Sequence, residues 1–132
     1  MSSYKTGTTS PDISLDVDID TIGTAATRAS KRPSGSSGGG TAVAHSVDAT
    51  GDITNAHLGG AASLSGNTLT IATSLSLFGD KEERKAEFAR LSSIYILSGG
   101  DDGKKEFLQP DFKLHNSDFT KATLVKNVSL IP

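Results

Sequence analysis

Strict alternation of apolar and polar side chains in DISLDVDID, residues 12–20, is the strongest constraint on the fold of this chain. A period of two places successive side chains on opposite faces of an extended strand, whereas a helix needs apolar residues three or four positions apart. The segment is therefore predicted to be a half-buried β-strand. Its apolar face consists of Ile13, Leu15, Val17 and Ile19.

The chain after Thr41 consists mostly of short strand-like runs separated by glycine-containing turns. Its one convincing helix is DKEERKAEFARL, at about residues 80–91, where Asp80 and Glu83 have the spacing of a capping box. The predicted fold class is therefore mainly β (α+β), a small barrel- or sandwich-like domain with one helix.

The N-terminal third of the chain is poor in side chains that can build a core. Between Ser30 and Gly40, within ASKRPSGSSGGGTA, no side chain is able to anchor one. Tyr4 is the one aromatic residue outside the segment 78–119. These observations predict an extended N-terminal arm at residues 1–40 and a β-rich domain at residues 41–132. Removal of residues 2–40 is then expected to leave a folded domain.

Composition excludes several function classes. The chain has no cysteine, which excludes disulfides and thiolate metal sites. Its net charge of −2 predicts no general attraction to nucleic acid or to a membrane surface. No apolar run is long enough to span a bilayer, and the N-terminus lacks the apolar region of a signal peptide. Synthesis in a cytoplasm is expected.

Catalytic and metal-binding patterns fail when they are tested residue by residue. The segment SGGDDGKK has the wrong residues for a phosphate loop, and Asp16-x-Asp18-x-Asp20 lacks the glycine and glutamate of a calcium loop. His45 and His57 would approach each other only if their two segments formed a hairpin, and two ligands make a poor site. We therefore predict no enzyme activity, no cofactor and no metal.

Two charged groups have alternative interpretations. The three aspartates of residues 16–20 form either a solvated strand face or a surface that meets a basic patch on a partner. The second group, which is basic, would bind nucleic acid only weakly because it has three positive charges. A solubilising role or contact with an acidic surface is therefore favoured for it. The basic group consists of Arg28, Lys31 and Arg32.

The segment LFGDKEERKAEFARLSSIYIL, residues 77–97, resembles the C-terminal part of the small head decoration, or cement, proteins of lambda-type tailed phages. Asp80, Lys85, Phe88 and the run SIYIL occupy places comparable to those in the family, as does Ala89. The segment SVDATGD is similar to a mid-domain turn of some members. This chain departs from the family in the 35 residues that follow Leu97, where the family usually ends.

The resemblance implies a virion protein that binds the outside of a capsid, usually as a homotrimer, and clamps neighbouring major capsid subunits. Synthesis would take place in the host cytoplasm. Under this hypothesis the strand of residues 12–20 is added to the major capsid protein through Ile13, Leu15, Val17 and Ile19. The basic group of Arg28, Lys31 and Arg32 would lie across a neighbouring subunit.

Two alternatives stay open. One is another non-catalytic component of a phage particle, in the tail, neck or spike base. The other is a stand-alone module that binds carbohydrate or a host protein, although the chain has no tryptophan and only two tyrosines to build a sugar platform.

Overall fold

The structure is a computed structural model that describes residues 2–36 and 38–132. The described residues form ten strands and two helices. The strands are β1 (Ser2–Lys5), β2 (Ile13–Asp20), β3 (Thr24–Pro33), β4 (Thr41–His45), β5 (Ile53–Gly59), β6 (Asn67–Ser76), β7 (Ser92–Gly100), β8 (Gly103–Leu108), β9 (Phe112–His115) and β10 (Lys121–Ile131). The helices are α1 (Ala61–Leu64), a single turn that the sequence did not predict, and α2 (Lys81–Arg90).

The strands form two sheets that enclose one core, so the prediction of a mainly β, sandwich-like domain is confirmed. Sheet A has the order β1-β10-β6-β3-β4, and β9 also pairs with β10. Sheet B has the order β5-β2-β7-β8. Contacts between β4 and β5 mark one side of the sandwich, and β8 and β9 are edge strands on the other side.

The core follows from the alternation of the strands. In β10, residues 122, 124, 126, 128 and 130 are buried while the residues between them are half-buried. The inward residues of β2, β6 and β7 meet those of β10 between the sheets, and the lone aromatic of the N-terminal third, Tyr4, is fully buried among them. Burying a large apolar side chain contributes about 1.5–3 kcal/mol, so this layer dominates the stability of the fold.

The predicted extended arm at residues 1–40 is wrong. β1 pairs in parallel with the end of β10, β2 lies between β5 and β7, and β3 lies between β6 and β4. The physical reason is the size of the inward side chains in β3. Ala25, Thr27 and Ala29 are buried, and the hydroxyls of Thr27 and Thr73 are hydrogen-bonded across the sheet at 2.8 Å. Small residues therefore build a central strand without the large apolar residues that normally indicate one.

The glycine- and serine-rich stretch is split between a strand and a loop. Its first part, up to Pro33, completes β3, and residues 34–40 connect β3 to β4. The N–H of Ser34 donates to the carbonyl of Gly66 at 3.0 Å, and the N–H of Ser36 donates to the carbonyl of Pro33 at 3.0 Å. Ser37 lies outside the described residues. The loop thus closes an antiparallel hairpin within sheet A and does not link an arm to a domain.

Helix α2 is capped as predicted but docks in a way that the sequence did not indicate. The Asp80 carboxylate accepts from the N–H of Glu83 at 2.9 Å, which confirms the capping box. The buried residue of the helix is Glu87, whose carboxylate accepts from the N–H of Ile22 at 3.0 Å and from the Thr21 hydroxyl at 3.2 Å. The Arg90 guanidinium forms an ion pair with the same Glu87 carboxylate at 3.0 Å. A carboxylate therefore ties α2 to the turn between β2 and β3.

Replacement of Glu87 by alanine is expected to lower the free energy of unfolding by about 2–3 kcal/mol, because hydrogen bonds to a charged group contribute about 1.5–3 kcal/mol and the N–H of Ile22 would lose its partner. Urea denaturation at constant m-value measures the change. Glu82→Ala, which is exposed on the same helix, serves as the control and is expected to change stability little. Equal stability of both variants would contradict the docking role of Glu87.

Candidate functional site

The four apolar residues predicted to bind a partner are core residues of this chain. Ile13 and Leu15 are fully buried, and Val17 and Ile19 are 3% and 6% exposed. Strand β2 is also hydrogen-bonded along both edges, to β5 and to β7. The prediction that this strand is added to a capsid protein is therefore wrong, because neither its backbone nor its apolar side chains are free.

The aspartates of β2 lie on the outer surface of sheet B beside apolar residues of β7 and β8. Asp18 is opposite Ile94, which is opposite Leu108, and Asp16 is opposite Ile96, which is opposite Glu106. Ile94 is 36% exposed and Leu108 is 65% exposed. We call this surface the acidic face, defined by Asp16, Asp18, Asp20, Ile94, Ile96, Glu106 and Leu108.

The carboxylates of the acidic face are largely free of cationic partners. Asp16 accepts from the N–H of Asn55 at 2.9 Å, and Asp18 and Asp20 are exposed. Among the described residues, none of the three forms an ion pair. His57 pairs with Asp12 at the beginning of β2, away from Asp18. Because like charges on one strand repel, a cationic group from outside the chain would stabilise these three carboxylates.

The outer surface of sheet A has a different composition. One row of cross-strand neighbours runs from Phe112 through Val125 and Ala72 to Arg28, and the next runs from Leu114 through Thr123 and Ser74 to Ala26. Phe112 and Leu114 on the edge strand β9 are 55% and 57% exposed. We call this surface the basic face, defined by Arg28, Arg32, Ala72, Phe112, Leu114 and Val125.

The basic group predicted from sequence is divided by the sheet. Arg28 is exposed and Arg32 is half-buried, and both side chains lie on the outer surface. Lys31 has the opposite orientation, and its ammonium donates to the carbonyl of Ser63 at 3.3 Å beside α1. Arg28 and Arg32 are therefore available to a partner in the structure, while Lys31 is engaged within the chain.

The histidines do not form a site. β4 and β5 belong to different sheets, so the hairpin that would have paired His45 with His57 is absent from the described structure. Instead, the imidazole of His45 contacts the carbonyl of Ser46 at 3.0 Å, and His115 stacks on Phe119. Within residues 2–36 and 38–132, no cluster of three potential ligands for a metal ion is found.

The ionisable groups with displaced pKa values are structural. Burial raises the pKa of the Tyr4 and Tyr95 phenols, and both hydroxyls are hydrogen-bonded inside the fold. Hydrogen bonds from Thr50 lower the pKa of the Asp48 carboxyl, and those from Thr120 lower that of Asp118. Each of these aspartates closes a local turn with the threonine two residues later. None converges with another reactive group.

One depression on the surface, of about 410 Å³, is shallow and lined mainly by small side chains such as Ala26, Ala49 and Ser74. Its charged members are Asp48 and Lys121. A binding pocket for a small molecule normally combines a concave apolar wall with several convergent polar groups. This depression lacks that combination.

The sequence did not predict that exposed apolar residues form part of both faces. In the run SSIYILSG, Ile94 is an outward residue while Tyr95 and Leu97 are buried. The cross-strand partners of β7 and β10 decide which apolar residues share a surface, and a single sequence does not give these registers. Exposed Phe112 and Leu114 had a local signal, because they alternate with Lys113 and His115.

Comparisons of this chain with protein-family models, with curated proteins and with solved structures found no match. In the part of the chain that the structure describes, no helix is long and apolar enough to cross a membrane. The class that the fold and the surfaces define is thus a small β-sandwich with two exposed sheet faces.

Proposed function

We propose that this chain is a non-catalytic virion protein, a capsid decoration protein that binds the outer surface of the head and bridges major capsid subunits. The resemblance of residues 77–97 to phage decoration proteins supports this role. The observation that carries it in the structure is the exposure of Ile94, Leu108, Phe112 and Leu114 on the two sheet faces. Apolar residues grouped with charged residues on a surface are typical of protein interaction sites.

The proposed mode of binding differs from the one expected from sequence. Because β1, β2 and β3 are all paired within the sheets, the N-terminal third of the chain has no free strand to add to a capsid subunit. Binding therefore uses the surface of the folded domain. Each exposed leucine or phenylalanine that becomes covered contributes up to about 1.5–3 kcal/mol, which offsets part of the free-energy cost of association.

The experiment is immunogold labelling of phage particles produced from the genome that encodes the chain. Label on the heads is expected. Label confined to the tail, or its absence from particles, would overturn the decoration role. Co-sedimentation of purified chain with undecorated heads then measures affinity.

The double variant Ile94→Ser/Leu108→Ser is expected to weaken this co-sedimentation about tenfold or more, because it removes two apolar contacts from the acidic face. The matched control is Ile22→Ser/Val47→Ser. These residues are also exposed, at 80% and 89%, but lie in turns outside both faces. Equal binding by the two double variants would exclude the acidic face as the contact surface.

A further inference from the structure

The two outer faces of the sandwich carry opposite charge. The acidic face holds four carboxylates, on Asp16, Asp18, Asp20 and Glu106, with Lys104 of β8 nearby. The outward positions of β3, β6, β9 and β10 are all described, and they include Arg28, Arg32 and Lys121 but no carboxylate. One carboxylate from a neighbouring turn, that of Asp48, shares with Lys121 the depression beside Ala26 and Ser74. Opposite charge on two surfaces of one chain makes each surface a candidate partner for the other.

The arrangement of apolar and charged residues is also similar on the two faces. On sheet A the apolar residue Phe112 lies on the edge strand and Arg28 lies three strands inward. On sheet B, Leu108 lies on the edge strand and Asp18 lies two strands inward. With strands about 4.8 Å apart, Arg28 lies about 14 Å from the edge strand β9, and Asp18 lies about 10 Å from the edge strand β8. The length of an arginine side chain can span the difference between these two distances.

The two apolar edges are on the same side of the sandwich. The Lys105 ammonium of β8 donates to the carbonyl of Ser3 in β1 at 3.0 Å, and the Lys126 ammonium of β10 lies over the Phe107 ring of β8 at 5.7 Å. β8 is therefore beside the edge of sheet A that carries β1 and β9. Two copies stacked in the same orientation would place apolar edge on apolar edge and Arg28 near Asp18.

We propose that the occupant of the acidic face is the basic face of a second copy of this chain. The contact is heterologous, because an acidic face packed on itself would oppose Asp16 and Asp18 to their own copies. Each added copy leaves one acidic and one basic face free, so assembly ends in a ring or continues as a stack. The inference rests on the proposed assembly role: in a stack on the head, the first copy contacts the capsid through its acidic face, and its basic face binds the acidic face of the next copy.

The test is sedimentation velocity of the purified full chain over a range of concentrations. The mean mass is expected to rise with concentration at about 50 mM NaCl and to fall markedly at about 500 mM NaCl, because salt screens the charge contacts. Asp18→Lys and Arg28→Glu, each alone, are expected to weaken association about tenfold or more. An equimolar mixture of the two variants is expected to associate again, because each altered face then meets one of opposite charge.

Two control variants reverse charge on α2, outside both faces: Glu82→Lys and Lys85→Glu. Both are expected to associate like the unaltered chain. The proposal is overturned by a monomer at all concentrations, by a dimer that does not grow, or by a mixture of Asp18→Lys and Arg28→Glu that stays dissociated. Since no phage particle is present, failure here leaves the labelling of heads unaffected, and failure of that labelling leaves self-association unaffected.

Discussion

A chain lacking residues 2–40 is expected not to fold. The deletion removes β1, β2 and β3, which takes a central strand from each sheet. The buried hydrophobic side chains lost with them are Tyr4, Ile13, Leu15, Val17, Ile19, Ala25 and Ala29. The four aliphatic residues of β2 alone account for about 6–12 kcal/mol of burial, and a domain of this size has only about 5–15 kcal/mol of net stability.

Circular dichroism and heteronuclear NMR of the fragment 41–132 measure this outcome. The expected spectra lack β-structure and amide dispersion, and no cooperative unfolding transition is seen. Deletion of Gly38 and Gly39 from the loop between β3 and β4 is the control, and it is expected to leave a cooperative fold because loop length has a small effect on stability. A fragment 41–132 that unfolds cooperatively would restore the arm predicted from sequence.

Tyr4→Ala is expected to destabilise the whole domain by about 3–5 kcal/mol, the range for removal of a fully buried aromatic side chain. Tyr4 is 0% exposed. Its hydroxyl donates to the carbonyl of Gly103 and accepts from the N–H of Gly100 at 2.9 Å. The residue thus joins β1 to the turn between β7 and β8. Its loss leaves a cavity and an unpaired backbone donor.

Tyr4→Phe separates the two contributions, because it keeps the ring and removes the hydroxyl. It is expected to cost about 1–3 kcal/mol, the penalty for leaving buried polar groups without a partner. Thermal and urea denaturation of both variants, with the exposed Lys5→Ala on the same strand as control, measure the values. If Tyr4→Ala unfolds within about 0.5 kcal/mol of the unaltered chain, β1 is not docked as described.

The local predictions that were confirmed depend on interactions between residues close in sequence. The alternation of residues 12–20 identified β2 and its buried side chains, and the spacing of Asp80 and Glu83 identified the beginning of α2. A period of two and a capping box are both complete within a few residues. They therefore do not require knowledge of the rest of the fold.

The predictions that were wrong concerned segments whose structure depends on distant partners. β3 is held by ten residue pairs with β6, which lies more than thirty residues later, and its small inward side chains fit because β6 supplies Leu69, Ile71 and Leu75. β1 has only four residues and is held by β10 at the other end of the chain. Composition described both segments as an arm, because neither has a strand signal of its own.

The sequence by itself determined the β class, the two-sided character of β2 and the absence of cysteine chemistry, since each follows from residue types or from their nearest neighbours. Only the tertiary structure decided that the first third of the chain belongs to the core and that Asp18, Ile94 and Leu108 share one surface. The physical reason is that strand pairing is set by hydrogen bonds and packing between residues far apart in the chain. A surface assembled across strands therefore exists only once the register is fixed.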